Sequence, residues 1–135
     1  MELRLTKKQY RRLLDMVYIG NWILNSTRGE DRFRDYDEVE SLLFEQAALQ
    51  GMQVLAETCG GEVVPSRAFV EGGIHEAILD YENTAFFEIL AEELARRDME
   101  EEAVSPDSYE ELANRIDAYI VEFEQHGIDN ILFDE

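Results

Sequence analysis

Cysteine occurs once in this chain, at Cys59, so no internal disulfide can staple it and no cysteine-rich metal site can form. Histidine occurs twice, at His75 and His126. They share no local spacing, and no His-Glu-x-x-His motif exists. Positive charge is scarce, with 12 basic residues against 31 acidic ones and a net charge of −19. That balance argues against binding nucleic-acid phosphates or anionic membrane surfaces. No run approaches the ~20 apolar residues of a membrane span. The nearest stretch, Val17–Leu24, follows a basic segment as a signal peptide would, but Gly20, Asn21 and Trp22 interrupt it and no small-residue cleavage site follows. The expectation is a cytoplasmic protein. The paired glycines, Gly60–Gly61 and Gly72–Gly73, lack the Gly-x-x-x-x-Gly-Lys pattern of a phosphate loop and read as backbone turns.

What remains is a globular composition, 45 % apolar in 135 residues, the size of one domain. A single helical domain, 1–135, is therefore expected. The clearest helix is Tyr81–Met99. Phe86, Leu90 and Leu94 recur at i, i+4 and i+8, flanked by Phe87, Ala91 and Ala95. Glu92–Arg96 and Glu93–Arg97 are i, i+4 pairs in the favourable order. A first helix is expected from Thr6, a plausible N-cap, to about Ser26. Gly20 in its middle suggests a close crossing, and Asn21 beside it an amide that satisfies a neighbouring helix end or loop. A second helix is expected from Tyr36 to Gly51, with Val39, Leu42, Leu43, Gln46, Ala47 and Leu49 inward.

Val63, Val64, Phe69 and Val70 are β-prone around a Pro65–Ser66 turn, so the pattern admits one short β-hairpin or flap at about 62–71. A short helix over Ile74–Glu82 leads into Tyr81–Met99. Asp98–Asp107 reads as an acidic linker. Ser105–Pro106 signals the start of a last helix, with Tyr109, Leu112, Ile116, Tyr119, Ile120 and Phe123 inward and Gly127 as its stop. The fold class is all-α, a compact bundle of four to five helices.

Two stretches, LTKKQYRRLLDMVYIGNWILN and YENTAFFEILAEELARRDM, resemble segments of an uncharacterised family of small acidic helical bacterial proteins. The resemblance rests on packing residues, including Gly20–Asn21–Trp22. It implies a bacterial, cytoplasmic, helical protein. The family has no assigned activity, so no residue inherits a role.

The residues point to no catalytic, cofactor-binding or metal-binding set. Cys59 lies between Glu57 and Glu62, the wrong setting for a thiolate. Adjacent acids such as Glu92–Glu93 and Glu110–Glu111 suggest an Mg²⁺-dependent, all-α nucleotide pyrophosphohydrolase as one alternative. The third acid of such a site is missing, because Arg96 and Asn114 stand where it belongs. A second alternative is an acidic DNA-mimic decoy of a nucleic-acid-binding protein. The favoured reading is a non-enzymatic protein that works through protein–protein interaction, with a protein partner or a second copy. The expected interface comprises Ile128, Ile131, Leu132 and Phe133, together with Phe69 and Val70 of the flap. Those four tail side chains are too apolar to be left uncovered. The basic residues Arg4, Lys7, Lys8, Arg11 and Arg12 read first as a solvated basic end, with docking on an acidic surface of the same chain or a twin as the alternative.

Overall fold

The computed structural model describes residues 1–134. The fold is mostly α: helices α1 (Lys7–Asn25) and α2 (Arg34–Glu45), a hairpin of β1 (Ala56–Cys59) and β2 (Glu62–Pro65), a short α3 (Arg67–Phe69), then α4 (His75–Glu101) and α5 (Tyr109–His126). Packing divides the chain into two units, Met1–Ile78 and Leu79–Glu135.

In the first unit, α1 starts where its sequence directs. The Thr6 hydroxyl accepts from the Gln9 amide and the Gln9 side chain accepts from the Thr6 amide, a reciprocal capping box. The buried face of α1 is Tyr10, Leu14, Asn21 and Asn25. It is apolar in its first half and polar in its second. Helix α2 matches it in reverse order, with Asp37 and Glu40 early and Phe44 late. The Tyr10 hydroxyl donates to the Leu43 carbonyl at 2.6 Å, while Asn21 and Asn25 meet residues 33–40. The two helices therefore run antiparallel, apolar end on apolar end.

Helix α2 ends at Glu45 rather than Gly51, and its buried residue is Phe44. Val39, Leu42 and Leu49 are exposed instead. The chain turns past Ala47 in 3₁₀ geometry, Ala48–Gln50, and Gly51 adopts the left-handed conformation (φ +74°) that its lack of a Cβ allows. Tyr10, Leu14, Phe44 and Phe69 form the core, with Tyr18, Val63 and Ile74 among the side chains packed on it. The Phe44 and Phe69 rings meet edge to face, 5.0 Å between centroids.

The hairpin lies earlier than the β-prone residues suggest. Its turn is Gly60–Gly61, at φ +59° and +83°, and Cys59 pairs with Glu62 across it. Two left-handed residues in a two-residue loop match the twist of the strands they join. Ser66, expected as a turn, caps the helical segment that follows: its Oγ accepts from the Phe69 amide and donates to the Val54 carbonyl. Phe69 and Val70 are therefore helical. Burying Phe69 against Phe44 outweighs its β propensity. A π-helical turn, Val70–Ile74, follows, with Gly73 at φ +107°.

In the second unit, α4 runs unbroken through Asn83–Thr84. Its buried residues within this unit are Ala91, Ala95 and Met99. Phe87 lies on the same face, its ring tilted by 38° to that of Phe123 with 5.4 Å between centroids. The stripe led by Phe86 is rotated away, and Phe86 itself is 51 % exposed. Ala95, Met99 and Leu112 form this unit's core, with Val104, Ile116 and Tyr119 against it.

Helix α4 passes Met99, ends at Glu101, and closes with a Schellman motif. Val104 N–H donates to the Met99 carbonyl and Ala103 N–H to that of Glu100, with Ala103 left-handed at φ +54°. Ser105–Pro106 is a turn, not a helix start. Ser105 Oγ accepts from the Asp107 amide, and α5 begins at Tyr109, which is exposed rather than inward.

Candidate functional site

Two places concentrate chemistry-bearing residues. The first is a polar seam where the end of α1 meets the start of α2. Asn25, fully buried, donates to the Phe33 carbonyl at 3.0 Å and accepts from the Phe33 amide at 2.8 Å. It also donates to the Asn21 amide oxygen. Asn21 in turn donates to Asp37 (3.0 Å) and Glu40 (3.1 Å). Arg32 clamps Asp37 with two donors, each at 2.8 Å.

Those hydrogen bonds, Arg32's first, hold the Asp37 carboxyl below its usual range. Glu40 moves the other way, because burial disfavours its charge. The Tyr18 hydroxyl lies 2.6 Å from His75 Nε2, and the edge of the Trp22 ring system meets the same imidazole at 5.7 Å. Burial, then the Glu40 charge, raises the Tyr18 pKa. The phenol therefore stays protonated at neutral pH, and the imidazole tautomer decides which partner of the Tyr18–His75 bond donates.

Every buried side-chain polar atom among the described residues has a partner. The seam holds its donors and acceptors in fixed pairs. These bonds tie the last turns of α1 to the entry and first turns of α2. The backbone role expected of Asn21 falls to Asn25, which serves the Phe33 amide and carbonyl before α2, while Asn21 donates to the Asp37 and Glu40 side chains. The sequence signal for Asn25 is the i, i+4 repeat of asparagine in the mostly apolar second half of α1. Gly20 has no close crossing, since a Cβ there would meet nothing within 4 Å.

The second place is the unit Leu79–Glu135. It carries three basic and eighteen acidic residues, a net −15, whereas Met1–Ile78 carries nine and thirteen, a net −4. All three of its cations are engaged inside the unit. Arg96 pairs with Glu92 and Arg97 with Asp98, both at 2.8 Å, while Arg115 bridges Glu102 and Glu111. Glu93 does not take the Arg97 partner its spacing suggests. Tyr119 also donates to Asp98, and that bond, before the Arg97 contact, lowers the Asp98 pKa.

Amid these acids, Leu79, Phe86 and Ile89 project from α4 at i, i+7 and i+10, all more than half exposed. Among the described residues no three His, Cys, Asp or Glu side chains converge as a metal ion would need, and Glu92 serves Arg96. Cys59 is exposed at the hairpin tip.

The expected interface residues separate. Phe69 is 1 % exposed and belongs to the core, and Val70 packs on that core. Ile131 is half-buried. Ile128, Leu132 and Phe133 are exposed, the last two at 88 % and 90 %. No described helix is long and apolar enough to cross a membrane. No family model, no curated protein and no solved structure matches the chain.

Proposed function

We propose that this protein is an interaction module whose acidic unit, Leu79–Glu135, engages a partner protein that bears a basic, partly apolar surface. One observation carries the reading. The exposed apolar row Leu79, Phe86 and Ile89 lies in a unit of net −15 whose every cation is already paired within it. Counter-charge must therefore come from outside the unit, and the apolar row supplies contact area that water disfavours. Buried apolar area at the centre, with charges that steer the encounter, is the general anatomy of such interfaces.

The test compares wild type with Phe86→Ser/Ile89→Ser, both exposed positions, in affinity capture at low and high salt. A basic partner retained by wild type, weakened by salt and lost by the variant is the expected result. Capture that neither salt nor the variant alters would overturn the reading.

The concentration of charge also favours a second reading, an acidic decoy that occupies the site of a DNA-binding protein. Release of duplex DNA from a basic DNA-binding protein by the intact chain would select it.

A further inference from the structure

We propose that the segment Ile128–Asp134 of one molecule docks in a cleft on α1 of a second copy of this chain. The cleft has a volume of about 350 Å³, and Leu3, Leu5, Leu13 and Met16 line it beside Lys8 and Arg12. Residues 1–5 precede α1, and Leu3 and Leu5 form one wall. A second depression, of about 240 Å³, continues it past Tyr10 and Leu43 and shares Leu3, Leu5 and Leu13. The result is an apolar trough with basic residues beside it.

The segment has the opposite character. Gly127 (φ +56°) ends α5, and the chain leaves the helix with Leu132 and Phe133 almost fully exposed. Asp129 and Asp134 flank these side chains, and no basic residue lies between Gly127 and Asp134. Apolar thus meets apolar and acid meets base. Lys8 makes no ion pair among the described residues, so it is available to a carboxylate. Positions 1–12 carry five basic residues against Glu2 and form the most positive stretch of this acidic chain.

The occupant is a second copy because each molecule carries both halves of the contact at equal concentration. A contact between two different patches is heterologous. It closes into a ring where its rotation allows and otherwise grows into longer assemblies. The inference goes beyond the partner reading above and uses different residues, so Phe86→Ser/Ile89→Ser leaves it intact and the two can fail separately.

The experiment is light scattering with size exclusion on the full chain across a wide concentration range. Wild type is expected to gain mass with concentration, more so at low salt. Leu132→Ser/Phe133→Ser in the segment, and separately Met16→Glu in the cleft, should each weaken association by at least about tenfold, with the circular dichroism unchanged. Lys8→Glu/Arg12→Glu should do the same, and adding Asp129→Lys/Asp134→Lys should restore association. Mixing the segment variant with the cleft variant should recover dimers, since one intact pair of surfaces remains. A wild type that stays monomeric at every concentration would overturn the proposal. So would an oligomer whose mass neither set of substitutions changes.

Discussion

Glu40 is a carboxylate held half out of water by the seam between α1 and α2. Burial pushes its pKa up, with the Asp37 charge adding to this, while the Asn21 hydrogen bond and Arg32 pull it back. A carboxyl whose folded pKa lies above its unfolded value of 4.5 takes up a proton on folding between those two values. Its charge therefore subtracts stability at neutral pH, and the deficit shrinks as pH falls toward 4.5. Asp37 runs oppositely. Its pKa is held down, first by Arg32, so its contribution is full above 3.8 and is lost as pH falls through the lower folded value. Glu40→Gln keeps an acceptor for Asn21 and removes the desolvated charge. The variant is expected to be more stable than wild type at neutral pH, with the gap closing toward pH 4.5. Denaturant unfolding at stepped pH measures this, and a gap independent of pH would show that the charge is not its cause.

At the scale of elements, two backbone positions carry the wrong residue for their conformation. Gly20 sits inside α1, where glycine costs about 1 kcal/mol relative to alanine, and a Cβ would meet nothing within 4 Å. Ala103 holds the left-handed position of the Schellman motif, where a Cβ costs about 1–2 kcal/mol. Gly20→Ala should stabilise by about 0.5–1 kcal/mol. Ala103→Gly should give a similar gain, since the relief of strain is offset by about 0.4–1 kcal/mol of added freedom in the unfolded chain. Shifts in the denaturant midpoint report both, and a loss with either would contradict the assigned backbone.

The same elements show what the sequence discloses. Thr6 and Gln9 carry the start of α1 in their own side chains, so that boundary was legible. The end of α4 was not, because the left-handed residue that closes it is an alanine. The Ser105–Pro106 signal is real turn chemistry, but Ser105 opens the turn that precedes α5 instead of capping the helix. Phe86 and Phe87 are equal in hydrophobicity, and only the presence of Phe123 across the unit decides that Phe87 turns inward. Phe69 was legible as apolar yet misplaced as interface, since the Ser66 cap that makes it helical was read as a hairpin turn.

For the whole molecule the governing fact is where the charge lies. The sequence shows −19 and a basic start, but the division at residues 78 and 79 assigns −15 to the second unit and −4 to the first. Like charges at that density repel over the screening distance, which is about 30 Å at 0.01 M salt and about 8 Å at 0.15 M. Local pairing does not cancel this, because Arg96, Arg97 and Arg115 are already satisfied and many acids remain unmatched. The melting temperature should therefore rise with salt between those concentrations. The rise should shrink in Glu100→Gln/Glu101→Gln/Glu110→Gln, which neutralises three exposed acids of the second unit. It should shrink less in Glu30→Gln/Glu38→Gln/Glu57→Gln, which does the same in the first. Helix melting followed by circular dichroism at low and moderate salt decides it. Equal effects from the two triple variants would mean that repulsion is set by total charge and not by its concentration in the second unit.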